Sequence, residues 1–141
     1  MYLIHETTLN NLYMILQDCE LKSNYLTGEI NQGEGVYEKN NKYVYFSLER
    51  ELFANTNYSR IKLYFDTNLL SNRNFYISSV QSANPDNEGV WGTLEGTEIK
   101  KKYPRNTENI PEILEKFYYY HNYIFLFGQV EIKNKVNIQN Y

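Results

Sequence analysis

Six short runs of β-branched and aromatic residues, set apart by turns rich in Asn, Ser and Gly, constrain this chain more than any other feature. They are Tyr2-Leu3-Ile4-His5, Tyr43-Val44-Tyr45-Phe46-Ser47, Ile61-Lys62-Leu63-Tyr64-Phe65, Phe75-Tyr76-Ile77-Ser78-Ser79-Val80, Tyr123-Ile124-Phe125-Leu126-Phe127 and Val130-Glu131-Ile132. Such runs read as strands, because branched and ring side chains fit a pleated, half-buried surface. Two segments carry helical spacing instead. Thr7 or Thr8 caps the first, where Leu9, Leu12, Tyr13 and Leu16 recur at intervals of three and four and form a stripe that would lie on a sheet; Asp18 to Leu21 end it. Pro111 opens the second, which runs through Tyr120 with Glu112 near its positive end. A third, short helix is expected over Leu48 to Ala54, with Ser47 as its cap. The order predicts an α+β fold.

The segments between these elements are turn chemistry. Thr27 to Asn41 holds Gly28, Gly33 and Gly35 and reads as a loop at the rim of a pocket, with a short extended piece at Val36-Tyr37. Asn84-Pro85-Asp86-Asn87-Glu88-Gly89 is a turn cluster before Trp91; it lacks the full ligand series of a calcium loop. Lys133 to Tyr141 reads as a polar extended tail. With 141 residues, no internal repeat and no break in composition, residues 1–141 are expected to form a single domain.

Composition removes several function classes. The 42% hydrophobic share is enough for a core, although 15 tyrosines carry much of it and their hydroxyls need partners or water. Fourteen Lys+Arg against 17 Asp+Glu give a net charge of -3, which lacks the positive footprint of a phosphate-backbone binder. Nucleic acid is therefore not the expected partner, and Lys100-Lys101-Lys102 with Arg105 reads as a solvated loop or strand end. The lone Cys19 offers no internal disulfide and no zinc framework. No stretch approaches the ~20 apolar residues that cross a bilayer, and Met1 to His5 has neither the basic flank nor the apolar core of a signal peptide. The expectation is an intracellular protein, cytoplasmic or nuclear, with no membrane partner. Abundant Asn, Ile, Lys and Tyr match translation from an AT-rich genome, as in parasites, low-GC bacteria and large DNA viruses.

The common enzyme signatures are absent: no G-x-G-x-x-G after a strand, no P-loop, no H-E-x-x-H, no C-x-x-C and no G-x-S-x-G. His5-Glu6 has no second histidine at metal-ligand spacing, which excludes a zinc protease of that type. Three other segments stand in a telling order. His5-Glu6-Thr7 ends the first strand and precedes Asn11-Leu12-Tyr13-Met14-Ile15-Leu16 and then Glu20-Leu21. Gly33-Glu34-Gly35-Val36-Tyr37 and Tyr45-Phe46-Ser47 follow, with Tyr58 beyond; Asn122-Tyr123-Ile124-Phe125-Leu126-Phe127 and Gln129-Val130 close the chain.

This order resembles the poly(ADP-ribose) polymerase-like branch of the ADP-ribosyltransferases. That family opens with His-Gly-Thr/Ser, a helix of pattern N-L-x-x-I-L and a G-L pair, continues with G-x-G-I-Y-F-A/S and a second tyrosine, and closes with N-E-Y-I-V-Y and Q-V before an apolar strand. The resemblance covers both ends and the first half of the chain. Glu6 replaces the family's Gly, an insertion around Asn40 splits the second motif, and Asn122 stands where the family has its Glu. The resemblance implies two small packed sheets with edge helices and a cleft that binds NAD as substrate. It also implies mono-ADP-ribosyl transfer to an acceptor such as a protein.

By the same resemblance His5 would hydrogen-bond a ribose hydroxyl, the main chain at Glu6 would pair with the nicotinamide amide, and Tyr45 and Tyr58 would sandwich the ring. Thr7 and Ser47 complete the implied nucleotide contacts, and His5, Tyr45 and Asn122 are the implied catalytic set. The chemistry needs such groups: breaking the nicotinamide–ribose bond develops positive charge that aromatic faces and an acceptor must surround. Asn122 orients a hydroxyl but carries no charge; Glu131, Glu95 and Glu98 are alternative acids, and no spacing selects among them.

Each residue also has a plainer reading. His5 fits a core-edge histidine bonded to backbone, Tyr45-Phe46 fits strand core, Tyr58 fits an exposed loop, and Tyr118-Tyr119-Tyr120 fits helix packing better than base stacking. Two rival functions follow: an inactive domain that binds NAD, ADP-ribose or a protein, and an RNA 2′-phosphotransferase. The latter wants arginines in its pocket, and Arg50, Arg60, Arg73 and Arg105 sit in no matching motif.

Overall fold

The computed structural model describes residues 1–28, 42–50, 61–81, 97–123 and 125–141, with the side chains of all of these except 78–81, 97–100 and 119–129. In chain order the elements are β1 (Tyr2–Thr7), α1 (Leu9–Asp18), β2 (Glu20–Lys22), α2 (Asn24–Thr27), β3 (Tyr43–Glu49), β4 (Ile61–Asp66), β5 (Phe75–Gln81), β6 (Thr97–Tyr103), α3 (Ile110–Tyr123), β7 (Phe125–Lys133) and β8 (Lys135–Asn137). The α+β class expected from the sequence is what the chain adopts. Its strands divide unequally, into a six-stranded sheet of order β4-β1-β3-β7-β5-β6 and a two-stranded ribbon, β2-β8. Every described pairing is antiparallel.

Period-two alternation gives the large sheet two unlike faces. Leu3, Val44, Phe46, Phe65, Phe75, Ile77, Val130 and Ile132 are buried on one face and form the core. Ile110 and Leu114 of α3, Ile15 of α1, and Leu21 and Val136 of the ribbon close over it. The second face carries tyrosines instead: Tyr2 meets Tyr64 edge-on at 6.0 Å, and Tyr43 meets Tyr76 at 5.5 Å. Ile4 and Glu131 are also buried there, each 1% exposed.

Asn134 redirects the chain from the sheet to the ribbon. Its φ of 68° is left-handed, a region Asn tolerates better than most residues. Its N–H donates to the Lys42 carbonyl at 2.7 Å, and its carbonyl accepts from Ser23 N at 2.8 Å.

Four expectations need correction. The stripe of Leu9, Tyr13 and Leu16 does not lie on the sheet; these residues are 56%, 66% and 65% exposed. The Thr8 N-cap, whose Oγ1 accepts from Asn11 N at 3.3 Å, sets where the helix starts. At roughly 100° per residue, Ile15 then falls on the side away from Tyr13 and is the residue that α1 buries. Leu48 and Glu49 start no helix, and Ser47 caps none: β3 runs on, because Leu48 pairs with Leu3 and Ser47 with Ile4. The polar tail contains β8, since Val136 reaches the core with 0% exposure. Tyr123 ends α3 rather than opening a strand, and β7 runs in one piece from Phe125.

The lysine run lies on β6, at the sheet's edge, where Lys101 sits 5.2 Å over the Tyr103 ring. Charged residues on an edge strand discourage pairing with another chain. The Gly33-Gly35 loop, the Asn84–Gly89 cluster, Trp91, Glu95, Arg60 and Tyr58 lie outside the described residues.

Candidate functional site

The large sheet forks between β1 and β3. The two strands pair from Tyr2↔Glu49 to Ile4↔Ser47 and no further. Beyond that rung β1 stays with β4 as far as Thr7↔Ile61, while β3 stays with β7 as far as Tyr43↔Lys133. The gap opens into a cleft of about 580 Å³. That size falls within the ~300–1,000 Å³ usual for small-molecule sites.

The fork is crossed by a side chain. His5 Nδ1 lies 3.0 Å from the main-chain oxygen of Tyr45, and its ring packs 5.8 Å from that of Phe46. A carbonyl only accepts, so Nδ1 carries a proton, and in the neutral ring this leaves Nε2 as the acceptor.

Ile4, His5, Glu6 and Thr7 line one limb of the fork, and Tyr43, Val44, Tyr45 and Ser47 line the other. Both faces of the sheet contribute, because the cleft passes between the strands. The back wall is α1, which presents Asn11, Met14, Ile15 and Asp18 at i, i+3, i+4 and i+7. Glu20 and Lys22 of β2 and Asn24, Leu26 and Thr27 of α2 complete it.

Five of the sequence-predicted site residues, His5, Glu6, Thr7, Tyr45 and Ser47, therefore share one cleft. Asn122 belongs to the last turn of α3, and Tyr58 lies outside the described residues. Glu98 sits on β6 opposite Val80. Glu131 does not line the cleft but stands directly opposite Tyr45.

Sequence reasoning missed the α1 and β2 wall. Its signal was the spacing Asn11, Met14, Ile15, Asp18, which mixes polar with apolar types and is outweighed on paper by the leucine stripe. Strand β2 has too few residues to show alternation.

The cleft leans negative. Glu6, Asp18 and Glu20 face Lys22, whose ammonium is bonded to Asp18 Oδ2 at 2.7 Å. That hydrogen bond holds the Lys22 pKa above its ordinary value against a smaller opposing effect of burial, with the charges of Asp18 and Glu20 assisting. Lys135 stands 3.6 Å from Glu20. Among the described residues no arginine lines the cleft: Arg50 pairs with Glu115 at 2.8 Å, and Arg73 donates to the Asn137 carbonyl. Among the described residues no three His, Cys, Asp or Glu side chains form a metal-binding group, and no helix is long and apolar enough to cross a membrane.

No family model matches the chain, and no curated protein or solved structure matches it either.

Proposed function

We propose that the forked cleft binds NAD and that the chain transfers ADP-ribose from it to an acceptor, as a mono-ADP-ribosyltransferase. One observation carries this reading: residues far apart in sequence, selected by motif order, line a single cleft. His5 offers an acceptor nitrogen suited to a ribose hydroxyl, its tautomer set by the Tyr45 carbonyl. The main chain at Glu6 supplies the pairing groups an amide needs. Tyr45 and Tyr43 line the cleft and would offer ring surface to a cationic nicotinamide, and the surplus of carboxylates among the described lining residues would favour positive charge as the glycosidic bond opens. Thr7 and Ser47 add hydroxyls to the two limbs.

A second reading is an NAD- or ADP-ribose-binding domain without transfer. It is favoured by Asn122, an amide where the resemblance puts the acid.

Incubation with NAD labelled in its adenylate half, followed by separation of free nicotinamide, free ADP-ribose and labelled macromolecule, tests the proposal. Label on protein with nicotinamide released supports transfer. Intact NAD retained by the protein supports the second reading, and NAD neither cleaved nor retained removes both readings.

A further inference from the structure

Helix α1 has two distinct faces. At roughly 100° per residue, Asn11, Met14 and Asp18 lie on the side that walls the cleft, and Leu9, Tyr13 and Leu16 lie on the side opposite. Those three are more than half exposed. Half-buried Leu12 flanks them on one side, and exposed Asn10 and Gln17 flank them on the other. No charged residue occurs from Leu9 to Gln17, and the one charge in α1, Asp18, is bonded to Lys22. Two leucines and a tyrosine exposed to this degree present roughly 350 Å² of contiguous apolar surface, the size at which a patch marks an interaction site.

Three features select a second copy of the chain as the occupant. The stripe is nearly palindromic, with Leu9 four residues before Tyr13 and Leu16 three residues after it. A twofold contact must be self-complementary, residue i meeting j while j meets i. Two antiparallel α1 helices satisfy this, because Leu9 then meets Leu16 of the other copy and the two Tyr13 rings meet beside the axis. Secondly, the stripe brings no like charges together, although the chain as a whole carries -3. Thirdly, α1 has no acidic residue in its first turn and no basic residue in its last. Its dipole is uncompensated at both ends, and an antiparallel neighbour sets each end against its opposite. A lipid surface suits the face less well, since interfacial helices carry Lys and Arg beside the apolar stripe and α1 has neither.

We propose that α1 pairs two copies of this chain, antiparallel about a twofold axis at Tyr13, with each helix walling a cleft on its other side. The inference does not depend on what the cleft binds. With the rims included, the contact would cover about 800–1,000 Å² in total, which is the small, transient end of specific interfaces.

Sedimentation equilibrium of the full chain, from about 1 µM to 1 mM, tests the pairing. The expected mass is 16.9 kDa when dilute and rises toward twice that value above about 10 µM. Tyr13→Lys sets two ammonium groups together at the axis and should weaken association at least about tenfold, with the melt of the dilute protein unchanged. Leu9→Glu and Leu16→Lys place charges that suit their ends of the helix, so both variants should fold. Each alone should weaken association, and an equimolar mixture should regain it, because the antiparallel register sets the new carboxylate against the new ammonium. A chain that stays monomeric up to 1 mM, whether or not it binds phosphatidylserine vesicles, overturns the inference. So does association that Tyr13→Lys leaves unchanged, a mixture that recovers nothing, or growth past the dimer without a plateau.

Discussion

The side chain of His5 bonds to the main chain of Tyr45 at 3.0 Å, where the β1–β3 ladder has already ended. A ring nitrogen takes over a carbonyl that the departing strand no longer serves. The arrangement keeps the fork open by the length of an imidazole while leaving no cost of an orphaned polar group. Structure and candidate chemistry thus meet in one residue: the bond that holds the cleft's two limbs also sets the tautomer with which His5 would face a ribose.

His5→Ala should therefore act twice. Losing one hydrogen bond and the ring's packing on Phe46 is expected to destabilise the fold by about 1–2 kcal/mol in urea unfolding. The same variant should lose any stabilisation by NAD. Unchanged unfolding would show that the bond does not hold the fork.

NAD should raise the melting temperature of the unaltered protein. A ligand bound only by the native state adds about 2.7 kcal/mol at a hundredfold excess over Kd, enough for a shift of several degrees in a chain of this size. A melt unmoved by millimolar NAD and by ADP-ribose would end the nucleotide reading.

Much of the strand content was legible because branched and ring residues concentrate where the strands are, and β1, β4 and β5 begin within a residue of the expected positions. The fork was not legible. Where a ladder stops depends on which neighbour each strand keeps, here β4 for β1 and β7 for β3, and that is decided by non-local pairing. The same cause carried Leu48 and Glu49 into a strand, although their local sequence reads as a helix start. His5, Tyr45 and Ser47 were legible through motif order, while Asp18, Glu20 and Lys22 were not, because solvated charges look alike until a cavity selects them.

The phase of α1 is open to direct test. Ile15→Ala removes a buried side chain and is expected to cost about 2–4 kcal/mol, whereas Tyr13→Lys and Leu16→Glu, on the exposed side, should stay within about 0.5 kcal/mol. The reverse ranking in chemical denaturation would mean that the leucine stripe packs on the sheet after all.

The turn at Asn134 should tell left-handed backbone from side-chain chemistry. Asn134→Gly is expected to be nearly neutral, since glycine adopts the φ of 68° freely, while Asn134→Val should cost about 1–2 kcal/mol and loosen the β2-β8 ribbon. Hydrogen exchange at Leu21 and Val136 reads the ribbon directly, and equal protection in both variants would contradict the strain argument.

Asn122 is where this chain departs most from the family it resembles, and its substitution separates transfer from binding. A carboxylate poised at a developing oxocarbenium ion supplies stabilisation that an amide cannot, and removing one such group costs about a hundredfold to a thousandfold in rate. Asn122→Glu is therefore expected to raise NAD cleavage above that of the unaltered protein. The position lies in the last turn of α3, where a negative charge meets the negative helix end, so a loss of about 0.3–1 kcal/mol in stability should accompany the gain. A melt of the variant confirms that it remains folded. If neither form cleaves NAD while both bind it, the binding-domain reading prevails. If cleavage is brisk, Asn122→Ala leaves it unchanged and Glu131→Gln or Glu98→Gln abolishes it, then a strand carboxylate carries the chemistry and the alignment of Asn122 with the family's acid is wrong.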